Sequence, residues 1–469
     1  MVTSLIVRRS KPELVAPSRP TPHDTKLLSD LDDLRNHYEY TPILAFFRSA
    51  AGANTNSNMP AVIRKALGEA LVYFYPMAGR LRELPPSSCR KLKLAVDCTA
   101  EGVLFVAAEA DLTLADLGDP LLPPFPGSGE LVCDDVGDSC IVVVDKPLVF
   151  MQVTEFKCGG FSIGMQWNHC MADGFGSNQF LKAIADLARG EPRPLLLPVW
   201  ERHLLMARAP PSVAAAFPTF KPLIDASYSS TDDVMLTTPL HNMVTRHFIF
   251  GRREIAALRR HLSRRHRCTD LQLLAAALWR CRTAALPYLP HRRVRVYIPM
   301  NTRGRHVHLP DGYYGNALAY SIADASAGDL CGGELGDAVD LVSEARLRVT
   351  EEYVRSTVDL MAASTRAMVF DGVYVVSDLT RLFTGEDMDF GQGREWVVSG
   401  MAHPMLASFL VRCRINNDGE DAVAASMVLP PAVMDRFAEE LHGLLLITGE
   451  HHDINVGRNN ITARTSSRM

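Results

Sequence analysis

The chain has no Cys-x-x-Cys pair, and none of its ten cysteines stands with histidines at zinc-ligand spacing. That excludes the common structural zinc sites and leaves no disulfide framework to read, a pattern that fits reduced thiols inside a cell. No stretch approaches the roughly 18 uninterrupted apolar residues that a membrane-spanning helix requires. At the N-terminus, "MVTSLIVRRSKPELVAP" offers too short an apolar run for a secretory signal, and its arginines follow that run instead of preceding it. Charge of one sign is also missing. The 49 Lys and Arg against 53 Asp and Glu leave a formal net charge of −4, which gives no reason to expect nucleic acid or an anionic membrane as partner. There is no internal repeat and no long low-complexity tract.

What remains is an ordinary globular composition, 47% hydrophobic and 22% charged over 469 residues, a length that favours two domains over one swollen core. Residues 187–223 are proline-rich and lack sustained periodicity, so they read as a crossover between two halves of similar size. The expected division is residues 1–190, a linker at 191–225, and residues 226–469. Both halves mix strands and helices. "LVFMQVTEFKC" and "GFSIGMQWNH" are rich in β-branched and aromatic residues and flank a credible hairpin turn at Cys158-Gly159-Gly160. "MADGFGSNQFLKAIADLARG" then turns helical, ending at Gly190. In the second half Thr269 is placed to cap the helix "DLQLLAAALWRCRTAAL". The class is mixed α/β with two domains.

One stretch asks for chemistry: "NHCMADG", residues 168–174. It sets His169 four positions before Asp173, with Gly174 following. Spacing alone decides nothing, because 15 histidines yield roughly one such pair by chance at average aspartate usage. A second pair, His266 and Asp270 in "HRCTD", makes the point. Strand phase separates the two. Alternation in "GFSIGMQWNH" puts Phe161, Ile163, Met165, Trp167 and His169 on one face, so His169 ends an apolar stripe at the lip of a loop. His266 stands among Arg264, Arg265 and Arg267 and is expected on the surface. Far downstream, "DMDFGQGREW" by itself is a glycine-rich turn before a strand. A protein-kinase reading fails for want of a glycine-rich loop or a His-Arg-Asp segment.

Taken together, His169-Cys-Met-Ala-Asp173-Gly174 and Asp389-Phe390-Gly391-Gln392-Gly393 resemble the two signature motifs of the plant BAHD acyltransferases, which use acyl-CoA donors. "ALWRCR", "NTRGR" and "YYGNAL" fall in matching order, so the likeness covers essentially the full chain. The opening "VRRSKPELVAPSRPTPHDTKLLSDLDD" is similar to the branch containing benzyl alcohol O-benzoyltransferases. One departure is Gln392, where the family usually has tryptophan.

The resemblance implies two chloramphenicol-acetyltransferase-like domains with a channel between them. It also implies acyl-CoA as co-substrate, a small alcohol as acceptor, no permanently bound cofactor, no metal, and a monomer. It makes His169 the general base. Asp173 turns away to pair with an arginine, for which Arg303 is the candidate, and Gly174 supports the turn. Asp389, Phe390, Gly391 and Gly393 form a structural loop. The basic region 252–305 is expected to meet the CoA phosphates, with Thr269 and Arg303 as candidates. Trp167 or Phe175 would suit an aromatic acyl pocket, and both could equally be core. Acetyl- or hydroxycinnamoyl-CoA transfer to an alcohol or amine stays open, as does a silent acyl-CoA-binding relative.

The last three residues, Ser467-Arg468-Met469, are a conservative variant of the Ser-Lys-Leu peroxisomal address. The expectation is import through the peroxisomal receptor, with the cytoplasm as the alternative. Benzoyl-CoA formed by shortening cinnamoyl-CoA would arise in that compartment, which favours benzoyl as the acyl group and benzyl alcohol as the acceptor.

Overall fold

The computed structural model describes residues 5–48, 58–84, 93–118, 120–133, 144–212, 233–363, 370–384, 388–391, 396–401, 406–415, 419–446 and 461–462. Two seven-stranded sheets organise it, with a three-stranded sheet beside the first. In the first large sheet the strands run Val7–Arg9, Val103–Ala110, Val149–Glu155, Phe161–Asn168, Tyr40–Phe47 and Trp396–Met401, with Glu13–Val15 alongside Val103–Ala110. In the second the order is Leu318–Ser326, Arg293–Asn301, Val373–Asp378, Ser408–Ile415, Glu420–Leu429, Val244–Phe250 and Ile461–Thr462. Parallel and antiparallel pairs occur in both. This is the mixed α/β, two-domain architecture that the sequence predicts.

Segments cross between the halves in both directions. Strand Trp396–Met401 comes from the second half yet completes the first sheet, pairing antiparallel with Tyr40–Phe47. In return, Leu122 from the first half packs with Val411, Cys413 and Ala424 on the second sheet. Each half therefore lends a segment to the other, and the halves are stapled rather than merely tethered.

Helix Met59–Tyr73 starts where Asn58 accepts from the Ala61 N–H at 3.0 Å with Pro60 in its first turn, a common start signal. It buries Ile63, Leu67, Ala70 and Leu71 beside helix Gly174–Ala188 against the first sheet. In the second half, Thr269 and Gln272 form the reciprocal cap of helix Asp270–Ala285, at 2.9 and 3.3 Å. That helix is buried nearly all round, as a helix apolar on every side must be. Among the described residues, no helix is long and apolar enough to cross a membrane.

His266 corrects an expectation. Its side chain is only 3% exposed, although Arg264, Arg265 and Arg267 around it point outward. The ring turns inward against helix Leu335–Leu347, where Gly336 leaves it room. Nδ1 accepts from the Ser263 N–H at 3.1 Å, and Nε2 lies 3.4 Å from the Asp340 carboxylate. A run of like charges marked the surrounding surface, and local alternation hid the one inward position.

Candidate active site

Strand Phe161–Asn168 is an interior strand, flanked by Val149–Glu155 and Tyr40–Phe47, and all eight of its residues are buried. The apolar face read from the sequence lies in the first core with Phe161, Ile163, Met165 and Trp167. Where the strand ends, the chain folds tightly into helix Gly174–Ala188. Asn168 accepts from the Met171 N–H through its carbonyl at 2.9 Å and from the Cys170 N–H through its side chain at 3.0 Å. The Trp167 indole N–H donates to the Ala172 carbonyl at 2.9 Å. Trp167, a candidate for the acyl pocket, is thus a core residue that braces this turn.

Asp173 caps the helix, accepting from the Gly176 N–H at 2.9 Å. Its side chain is fully buried and meets Arg303 with two contacts, 2.9 Å from Nη1 to Oδ2 and 3.1 Å from Nη2 to Oδ1. The Ala317 N–H donates to Oδ2 at 3.0 Å. Four donors therefore occupy the carboxylate, and none comes from His169. Arg303 is equally committed, donating also to the Tyr313 and Gly315 carbonyls and to Asn301. Phe175 lies under its guanidinium, 5.6 Å from ring centroid to Cζ. The glycines have matching reasons. The tip of Leu382 would crowd a Gly174 Cβ at 3.0 Å, and the Tyr314 carbonyl passes through the space of a Gly176 Cβ.

His169 is held by both its main-chain groups. Its N–H donates to the Glu39 carbonyl at 2.9 Å, and its carbonyl accepts from Asn316 Nδ2 at 2.7 Å. The ring stacks on His37, with centroids 4.3 Å apart and planes 18° from parallel. Nδ1 is buried and has no hydrogen-bond partner among the described residues, while the residue as a whole is only partly buried.

Behind this turn lies a network that sequence reasoning did not find. Arg202, in the crossover, forms an ion pair with Asp32 at 2.7 Å, and the two side chains are 1% and 0% exposed. Its other nitrogen donates to the Met171 carbonyl at 2.7 Å. Asp32 also accepts from the Asn316 main chain and side chain at 2.8 and 2.9 Å, and Asn316 carries the bond to His169. Burial works against the Arg202 charge, but Asp32 with Tyr313 and Tyr314 raises its pKa above the ordinary value. A buried arginine inside the proline-rich crossover had one sequence clue, the neighbouring Trp200 whose ring lies 4.3 Å from its guanidinium carbon.

The second motif sits elsewhere. Phe390 is buried and packs edge-on against Phe47 and Phe161, with centroids at 5.1 and 6.0 Å. Phe161 opens the strand whose far end leads to His169, roughly 26 Å away at about 3.3 Å per residue. Asp389 accepts from the Gly391 N–H at 2.8 Å, and Gly391 takes a left-handed φ of 87°. Arg189, at the end of the helix that Asp173 caps, reaches the Asp389 carbonyl. Gln392 and Gly393 lie outside the described residues, as does Ser467-Arg468-Met469.

Two cavities stand out. The larger, about 740 Å³, is lined by Phe175, Lys182, Arg189, Arg303, Tyr313 and Asp389, among others. The smaller, about 480 Å³, is lined by Arg267, Thr269, Arg305, His306 and Arg346, with Met300 and Leu347 supplying apolar wall. His169 lines neither. The two candidates for CoA thus part company: Thr269 faces a basic cavity, and Arg303 is tied to Asp173.

The model of the transferase family matches residues 5–444. Acyl transferase 1 of Oryza sativa subsp. japonica is 46% identical, over 95% of this chain and 97% of its own length. Benzyl alcohol O-benzoyltransferase of Petunia hybrida is 42% identical, over 94% of each. Among solved structures, vinorine synthase superposes with a TM-score of 0.70 at 22% identity, covering 94% of this chain and 98% of that one, a likeness of fold.

Proposed function

Because the chain belongs to the plant BAHD family of acyl-CoA-dependent acyltransferases, we propose that it transfers benzoyl from benzoyl-CoA to benzyl alcohol, giving benzyl benzoate. His169 Nε2 removes the hydroxyl proton as the alcohol oxygen attacks the thioester carbon. Neutral imidazole suits that work near neutral pH. The tetrahedral intermediate then collapses, the C–S bond breaks, and the CoA thiolate leaves with the proton His169 had taken. A thiolate leaves readily, so no acyl-enzyme forms.

The observation that carries this reading is the holding of His169. Groups from both halves fix its main chain, and no described residue engages Nδ1. A histidine kept for structure would bond through its ring, as His266 does. The basic cavity at Arg267, Thr269, Arg305 and Arg346 is the place we assign to the phosphates of CoA, since guanidinium groups pair with phosphate bidentately. Choice of benzoyl over acetyl rests on the Petunia relative and on the C-terminal Ser-Arg-Met. Through that tripeptide we propose import into peroxisomes.

The test is direct. Purified protein is incubated with benzoyl-, acetyl- or p-coumaroyl-CoA against benzyl alcohol, aliphatic alcohols and polyamines, and products are read by mass spectrometry. Benzyl benzoate is the expected leading product, and preference for another pair overturns the substrate assignment. His169→Ala should lower kcat by about 10²–10⁴-fold, the usual span for a general base; turnover equal to the parent removes His169 from the mechanism.

A further inference from the structure

The strand register sets Glu39 directly opposite His169. Tyr40 pairs with Asn168 and Thr41 with Trp167, so the next step outward joins Glu39 to His169, and the 2.9 Å bond between their main chains confirms it. Opposed residues of an antiparallel pair carry their Cβ atoms about 5 Å apart on one face. His37, two residues before Glu39, lies flat on the His169 ring. One short segment thus brings a carboxylate and a second imidazole to the base.

Removing a proton from the acceptor puts a positive charge on His169. The aspartate of its own motif is poorly placed to meet that charge, because Arg303, Gly176 and Ala317 already occupy its oxygens. Glu39 is open to solvent yet has protein close around it. That surrounding pushes its carboxyl up, and the charge of His169 pulls the other way.

We propose that Glu39 is a positioning residue for acyl transfer: its carboxylate stabilises the imidazolium formed when His169 takes the acceptor proton, while the stacked His37 keeps the ring turned towards it. The proton passes from acceptor oxygen to His169 and on to the departing sulfur, and Glu39 takes up none of it. Other titratable groups face the pair. Cys170 donates through its thiol to the His37 carbonyl at 3.3 Å. Burial, with a smaller contribution from the Glu39 charge, pushes the Tyr320 hydroxyl of strand Leu318–Ser326 up to about 12. Tyr38 turns away to Asp33. Arg303 offsets Asp173.

The inference rests on His169 as base, so its test must separate the two. Glu39→Gln keeps shape and removes charge. Two readings are compared with the parent: the pH profile of kcat/KM with benzoyl-CoA and benzyl alcohol, and the pH dependence of His169 modification by diethyl pyrocarbonate, followed by peptide mass spectrometry. The second needs no substrate. Losing a neighbouring carboxylate disfavours the protonated ring, so the acid limb and the modification midpoint should both move to lower pH. kcat should fall about tenfold, with part of it restored by Glu39→Asp. An unmoved limb and midpoint, at any loss of kcat, overturns the proposal, because a merely structural side chain would act that way. Loss confined to the KM of an amine such as spermidine, with benzyl alcohol turnover intact, also overturns it and makes Glu39 an acceptor-binding group. Full activity of His169→Ala would instead defeat the base assignment.

Discussion

Asp173 and Arg303 meet through two contacts of 2.9 and 3.1 Å across the junction of the two halves, and His169 takes no part. The motif's histidine and aspartate therefore do different work, and their variants should fail differently. Arg303→Met leaves a fully buried carboxylate with half of its donors gone. Removing one partner of a buried pair costs about 3–5 kcal/mol, so a fall of several degrees in Tm is expected, together with reduced kcat as the turn loosens. Adding Asp173→Asn to Arg303→Met should recover part of the lost Tm, because the stranded charge is gone. Calorimetry on the two single variants and the double variant measures the coupling.

Arg202 gives a sharper contrast. Its guanidinium spans Asp32 and the Met171 carbonyl beneath the rings of Trp200 and Tyr314. A lysine carries the same charge but not the planar fork. Arg202→Lys should therefore lower stability by about 2 kcal/mol or more, read by denaturant unfolding, despite keeping the sign of the charge. Asn316→Leu removes the donor to the His169 carbonyl and should lower kcat more than it raises the KM of either substrate.

Much of this was legible beforehand because it is local. Thr269 announces its helix by the glutamine three positions on, and His169 its strand end by alternation. The Asp173–Arg303 pairing came from family likeness, since a separation of 130 positions hides it from any local pattern. Arg202 and Asp32, 170 positions apart, left almost no trace, and neither did the strand at 396–401 that returns to the first sheet. Buried charge is invisible to hydropathy: a satisfied arginine reads as surface until its partner is known, and His266 misled for the same reason.

Phe390 should behave as a wedge and not as a site. It packs on Phe47 and Phe161, so Phe390→Ala opens a cavity and costs about 3–5 kcal/mol. Because the loss falls far from His169, kcat/KM per folded molecule should stay within about twofold of the parent, a difference of about 0.4 kcal/mol. A large kcat loss at full stability would mean the second motif acts on the chemistry.

His247 supplies a pH dependence at the seam between the halves. It stands on strand Val244–Phe250, and its Nε2 lies 3.2 Å from the Pro124 carbonyl of the first half. Burial lowers its pKa below the ordinary imidazole value, with the Pro124 contact opposing more weakly. The sign follows from proton counting. Between the lowered folded value and about 6.5, the unfolded chain binds a proton that the native chain refuses. Stability from this group is complete above about 6.5 and declines as pH falls towards the folded value, below which the decline stops. His247→Phe should flatten that part of the stability curve while leaving the region above pH 7 nearly parallel to the parent. Chemical unfolding at pH 7.5, 6.5 and 5.5 measures it: a parent and variant that lose stability equally between the first and last would place the pH dependence on another group.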